Sequence, residues 1–167
     1  YCDVIMDEAV KMNQMVKNLV ALNQLEFGDK DIVFERFDLT ALVCGILQSM
    51  EILAEQEEIR VIFRQKEPVY VWADEFKVEQ VVRNYVSNAF HHAGGEKIVE
   101  IKILTDGGKA RVTVFNTGKP VADEDLEHIW EKFYKADKAH SREYGGNGIG
   151  LSIVKAIMES FHEKYGV

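Results

Sequence analysis

Asn84 and Asn88 stand four residues apart, with His91 one turn further on, in a stretch whose apolar spacing is helical. Lys77, Gln80, Asn84, Asn88 and His91 share one arc of that helix; Val78, Val82, Tyr85, Val86, Ala89 and Ala93 share the opposite one. A plain solvated face would be mostly Glu and Lys. Short amides suit a half-buried polar site, and a carboxamide oxygen is a ligand for a hard cation. Two ordinary surface asparagines would show the same spacing, so this helix alone leaves both readings open. His91 and His92 are not a metal pair, because adjacent helical residues do not face each other.

Gly145, Gly146, Gly148 and Gly150 crowd in front of an apolar run that opens with Leu151. Glycine is a poor helix former, so its use at a helix start asks for a reason. The first turn of a helix presents unpaired N–H groups and partial positive charge, and glycine lets an anion approach the backbone. Gly146-Asn147-Gly148-Ile149-Gly150 therefore reads as a phosphate cradle, with a flexible hinge as the alternative. It is not a Walker loop, because Leu151 and not Lys follows Gly150. It is not the dinucleotide fingerprint, because its spacing is G-x-G-x-G and a polar loop precedes it. Nor is it the glycine loop of a protein kinase, which sits in a hairpin. A third candidate is the strand end Val112–Phe115, running into Asn116-Thr117-Gly118. It could read the edge of a flat ligand, or be a simple turn.

These residues need elements to hold them. Residues 3–27 carry Ile5, Met12 and Leu19 at intervals of seven, Met15 and Leu22 in a second line, and Ala9 and Val16 widening the stripe. They read as one helix ended near Gly28, either a core helix or half of a helical hairpin. A strand over 32–37 follows, then a helix from Asp38 or Thr40 to about 57, and strands over 60–65 and 69–73. Asp74 caps the asparagine helix, which Gly94-Gly95 closes near residue 93. Strands 98–105 and 110–115 form a hairpin around Asp106-Gly107-Gly108. Residues 117–147 are a long excursion with one short helix, 123–132, and the last helix runs from about 149 to 162. The pattern is α/β, a sheet carrying helices.

The chain has 167 residues, 47% hydrophobic and 29% charged, an ordinary globular balance able to bury one core. A net charge of −8 opposes a nucleic-acid surface. Cys2 and Cys44 have no metal spacing and make no disulfide framework; both read as reduced thiols of a cytosolic chain, Cys44 as core. The longest apolar run, 41–47, is far short of a membrane span.

Taken in order, these motifs resemble the ATP-binding domain of bacterial sensor histidine kinases, of the Bergerat (GHKL) type shared with gyrase, MutL and heat-shock chaperone ATPases. Gln80 to His92 is similar to the asparagine box, and Asn116-Thr117-Gly118-Lys119-Pro120 to the first glycine box. Trp130 to Lys135 is similar to the phenylalanine box, and Gly146 to Leu151 to the second glycine box. The resemblance implies a two-layer α/β sandwich, a mixed sheet packed on about three helices with a mobile ATP lid, preceded by one long helix. Residues 1–28 would end the dimerisation hairpin, and 29–167 would form the catalytic domain, truncated at its C-terminus.

Roles follow by position. Asn88 would ligate a Mg²⁺ bridging the ATP phosphates and Asn84 would support the metal or its waters. His91 would face the phosphates and His92 the ribose or base. Asn116 and Gly118 would read the adenine. Phe133 would anchor the lid, Tyr134 would pack near the base, and Lys135 would meet the γ-phosphate. The backbone of Gly146, Gly148, Ile149, Gly150 and Leu151 would take phosphate oxygens. The implied activity is transfer of the γ-phosphoryl group to a histidine on the missing hairpin helix, for relay to a response regulator receiver domain. The implied setting is a homodimer anchored in the membrane, with this part on its cytoplasmic side.

Two departures stand out. Asn116 occupies the place of the family's adenine-binding aspartate, which predicts weaker nucleotide binding, and Pro120 replaces a glycine, which stiffens that turn. They leave two alternatives: a non-catalytic interaction module of the same fold, or a water-using ATPase. Gyrase and MutL carry a glutamate in the place of Asn84, and an amide is no general base. All five histidines lie at or beyond residue 91, so the chain is not expected to autophosphorylate.

Overall fold

The computed structural model describes residues 12–13, 16–17, 19–20, 32–135 and 148–167. They belong to two compact units, one of residues 32–120, the other of residues 1–31 with 121–167.

In the first unit, β1 (Glu35–Asp38) pairs antiparallel with β3 (Tyr70–Ala73), Arg36 opposite Trp72. β2 (Arg60–Phe63), β4 (Ile98–Asp106) and β5 (Lys109–Asn116) form a mixed sheet in the order β2-β4-β5. β2 runs parallel and β5 antiparallel to β4. Gly107 and Gly108, at φ 55° and 77°, supply the left-handed pair that a two-residue hairpin turn requires. Along β4, Val99, Ile101 and Ile103 are buried at alternate positions, so one face of the sheet meets the core.

That face is covered by α1 (Leu39–Ser49), α2 (Glu51–Gln56) and α3 (Glu75–His92). The Asp38 carboxylate starts α1 by accepting the N–H groups of Thr40 at 2.9 Å and Ala41 at 3.2 Å. Asp74 starts α3 by accepting that of Lys77 at 3.0 Å. Val43 and Ile46 of α1, Val82, Val86 and Phe90 of α3, and Val99 and Ile101 of β4 meet in one core. The result is an α/β fold with a mixed sheet.

The unit departs from the sequence reading in five places, one being β2, which ends at Phe63 and not residue 65. β1 begins at Glu35, not residue 32. The helix expected to reach residue 57 breaks at Met50, at φ −106° and ψ 4°. There the Ser49 hydroxyl donates to the Ile46 carbonyl at 2.7 Å and accepts from Arg83 Nη1 at 3.1 Å, so a side chain competes with the backbone ladder. Cys44, expected in the core, is exposed: it follows Val43 directly, and the next residue on a helix turns away from a buried one. Lys77, expected on the polar arc, is buried, as are Val81 and Phe90, so α3 is covered over more of its circumference than one apolar stripe.

In the second unit the expected helix over 123–132 is a series of turns. Their bonds are mostly of i→i−3 type, such as His128 N–H to Asp125 at 2.9 Å and Glu131 N–H to His128 at 2.8 Å. Asp123, Glu124, Asp125 and Glu127 crowd like charges into the segment, which disfavours a regular helix. α4 (Gly150–Ser160) buries Ile153, Val154 and Ile157. The Trp130 ring meets that of Tyr165 edge-on, centroids 4.8 Å apart, and the Tyr165 hydroxyl donates to Glu159 at 2.9 Å.

Of the N-terminal helix, residues 12, 13, 16, 17, 19 and 20 are helical, and Met12 and Val16 are exposed. Ile5, Ala9, Met15, Leu22 and the stop at Gly28 lie outside the described residues. So does the middle of the expected lid, 136–147, with Gly146 and Asn147.

Candidate functional site

The expected site residues fall into one set in each unit. In the first unit, Asn84 and Asn88 are half-buried on α3, with His91 and His92 exposed in its last turn. Asn84 donates from Nδ2 to the Gln80 carbonyl at 2.8 Å. That bond directs the amide nitrogen onto the helix and leaves the carboxamide oxygen as the side chain's acceptor. His91 does the same with its ring. Its Nδ1 lies 2.6 Å from the Ser87 carbonyl, which can only accept, so Nδ1 carries the hydrogen and Nε2 is the outward atom.

The end of α3 is fastened to the end of β5. The Gly94 N–H donates to the Thr117 carbonyl at 2.8 Å, and the Thr117 N–H to Ile98 at 2.9 Å. Thr117 Oγ1 accepts the Ile98 N–H at 2.9 Å. Asn116 donates from Nδ2 to the carbonyls of His92 and Thr117, both at 3.2 Å. Its oxygen is therefore the group left to accept. Gly118, at φ 144°, closes the corner: a Cβ there would stand 2.4 Å from the His92 carbonyl oxygen. Helix end and strand end thus form one built corner, which brings His92, Asn116 and Gly118 together on the helix that carries Asn84, Asn88 and His91.

In the second unit the phenylalanine segment and the second glycine segment are one piece. The Phe133 N–H donates to the Gly148 carbonyl at 2.8 Å. Gly148 sits at φ 64°, where a Cβ would lie 2.9 Å from Phe133 Cα and from the Tyr134 carbonyl. Phe133 is itself left-handed, at φ 66°, a strained state for an aromatic residue and one met at functional segments. Its side chain is exposed, while Tyr134 and Lys135 are half-buried. Ile149 is fully buried, and Leu151 is half-buried. No side chain caps α4, in contrast to the aspartates that cap α1 and α3. Gly150 opens this helix and Ser160 closes it, against the expected span of about 149 to 162. Gly146 is outside the described residues.

Sequence reasoning missed the partners of Tyr134. Its hydroxyl donates to the Asp125 carboxylate. That bond, then burial, raises the phenol above its ordinary range. The ring lies 5.5 Å from that of His128, tilted by 34°. His128 Nδ1 meets Glu131 Oε1 at 2.9 Å. The hydrogen bond and charge of Glu131 raise the imidazole above its ordinary value, with smaller contributions from Glu127 and Asp125. Nothing in the spacing of these residues marks them, because their segment has no regular period.

The sequence profile described as "Histidine kinase-, DNA gyrase B-, and HSP90-like ATPase" matches residues 73–167, which hold both sets of residues. Among curated proteins, the sensor protein IrlS of Burkholderia pseudomallei (strain K96243) is 28% identical over 170 residues, spanning 100% of this chain and 36% of its own length. The sensor histidine kinase YkoH of Bacillus subtilis (strain 168) is 29% identical over 157 residues, spanning 94% and 34%. The chain thus spans about a third of the length of the curated relatives it matches. Among solved structures, the nucleotide-free catalytic domain of the histidine kinase ThkA superposes with a TM-score of 0.67 at 29% identity, over 77% of this chain and 81% of that one. ThkA in complex with the response regulator TrrA superposes with a TM-score of 0.75 at 26% identity, over 98% of this chain and 44% of that one. From this match across more than half its length, the chain belongs to the family of histidine kinase-, DNA gyrase B- and HSP90-like ATPases.

Proposed function

We propose that this chain is the ATP-binding part of a sensor histidine kinase, which holds Mg-ATP and directs the γ-phosphoryl group to a histidine on a dimerisation helix, for relay to a response regulator aspartate. The observation that carries the reading is the corner between α3 and β5. There Asn116 keeps its amide nitrogen on the carbonyls of His92 and Thr117, which leaves its oxygen to accept, and Gly118 is packed too tightly for any side chain; within α3, the Asn84 amide nitrogen is held on the Gln80 carbonyl.

The residues fit Mg²⁺. The Asn88 oxygen would ligate it and Asn84 would hold it or its waters, both half-buried oxygen donors of the kind hard cations take. When bound, the ion neutralises phosphate charge during transfer. Asn116 accepts from an amino group at the edge of a purine ring, and His91 and His92 line the phosphates and ribose. The backbone of 148–151 takes phosphate oxygens, with Gly146 continuing the cradle. Phe133 anchors the lid, Tyr134 packs on the base, and Lys135 meets the γ-phosphate. Asn84 cannot take a proton from water, so transfer to a protein side chain is favoured over hydrolysis.

The wider setting belongs to the same proposal. Residues 1–28 end a dimerisation hairpin, 29–167 form the catalytic domain, the whole protein is a membrane-anchored homodimer, and this part lies on the cytoplasmic side. The regulator-bound ThkA structure supports the partner.

Radiolabelled ATP tests it. Incubated alone, the chain is expected to bind Mg-ATP yet form no phosphohistidine, since its five histidines all lie at or beyond residue 91. With a separate hairpin carrying an acceptor histidine, label is expected on that hairpin. Label on this chain alone, or rapid phosphate release with no acceptor, would contradict the reading.

A further inference from the structure

Asp125 and His128 lie in the turns before the phenylalanine segment, and nothing in the site described so far uses them. Both touch Tyr134, one at each end of its side chain. The hydroxyl is bonded to the Asp125 carboxylate, and the ring lies beside the imidazole at 5.5 Å. The imidazole is held by Glu131 at 2.9 Å. The backbone on this side is equally constrained, because Phe133 is left-handed and its N–H is bonded to Gly148. A tyrosine so held at hydroxyl, ring and main chain has little freedom to choose a rotamer. We infer that Asp125 and His128 are positioning residues, which set the Tyr134 ring in the orientation that receives the nucleotide base. The inference rests on the reading that Tyr134 packs on that base.

The arrangement has a built-in dependence on pH. Charged, His128 makes an ion pair with Glu131 and sets a cation beside the Tyr134 ring. Neutral, it keeps at most a hydrogen bond. The groups that bear on it are Glu131, Glu127 and Asp125, all acidic and all favouring the charged form, with the Tyr134 ring alongside. Its value is raised on folding. The contribution is therefore complete below the ordinary imidazole value of 6.5 and is lost as pH rises through the raised value. Both partners are more than half exposed, so the effect on affinity is small, about two- to threefold between pH 6 and pH 8.5. Tyr134 keeps its hydroxyl proton throughout this window, since its own shift is upward from 10.0.

Two measurements on the full chain test the inference. In the free protein, the NMR resonances of the Tyr134 ring are followed against pH. They are expected to move with the midpoint of His128 in the wild type and to lose that movement in His128→Gln. Calorimetric titration with a non-hydrolysable ATP analogue and Mg²⁺ supplies the second readout. Asp125→Ala is expected to weaken binding by about three- to tenfold, less than a lost charged contact to the ligand itself, because the bond acts only through the ring it positions. Asp125→Asn, which keeps an acceptor oxygen, restores most of it, and His128→Gln removes the fall in affinity above pH 6. Tyr134 resonances indifferent to His128, or Asp125→Ala binding as tightly as wild type, would overturn the inference. Coupled resonances in a wild-type chain that binds no analogue would overturn the nucleotide-site reading and this link to it, while leaving the side-chain cluster itself in place.

Discussion

Asn116 donates to two backbone carbonyls, and this changes what its substitution would do. By charge alone, an aspartate there would bind an adenine amino group better. In this corner it would instead turn a carboxylate oxygen toward the carbonyls of His92 and Thr117 and lose the bond to His92, one of those that fasten α3 to β5. Asn116→Asp is expected to lower the unfolding free energy in urea by about 1–2 kcal/mol; a variant as stable as wild type would show that the amide does not hold the corner. Gly118→Ala meets a harder limit, a Cβ at 2.4 Å from the His92 oxygen at φ 144°. A loss on the order of 1–3 kcal/mol is expected by thermal denaturation, and an unchanged midpoint would contradict the geometry. Cys44 offers a test of the corrected helix facing. In a Cys2→Ser chain it is expected to react with a thiol reagent without denaturant, because it is exposed; a thiol silent until unfolding would restore the buried reading.

Elements set by local chemistry are legible in the sequence. Asp38 and Asp74 announce helix starts because a carboxylate satisfies orphan N–H groups wherever the chain goes next. Gly107-Gly108 announces a hairpin because few other residues adopt that conformation twice in succession. Asp74→Ala is accordingly expected to cost about 1 kcal/mol of stability, read by denaturant titration, and no cost would mean that packing alone fixes the start of α3. Elements set by distant partners are not legible. The break at Met50 depends on Arg83, far along the chain, reaching Ser49. The burial of Lys77 depends on how much of α3 is covered. The like charges of the turns over 123–132 can be read from the sequence, but the bond from Tyr134 to Asp125 cannot. The candidate site divides in the same way: its asparagines and glycines show in their types and spacing, whereas the support behind Tyr134 shows only in three dimensions.

At the scale of the whole molecule, each unit carries its own set of the proposed site residues. In the first, amide nitrogens are bonded within α3 and at its corner with β5, which leaves their oxygens to accept. In the second, an uncapped helix start is joined through Gly148 to the phenylalanine segment. The family profile runs through both, from residue 73 to residue 167. The central proposal is that the chain binds Mg-ATP through residues of these sets. Backbone amide shifts in the full chain, recorded while Mg²⁺ and a non-hydrolysable ATP analogue are titrated in, test it most directly. The account predicts that residues 84–92 and 116–118 shift along a saturation curve, and that residues 148–151 shift as well. No response at residues 84–92 and 116–118 at saturating analogue would contradict it.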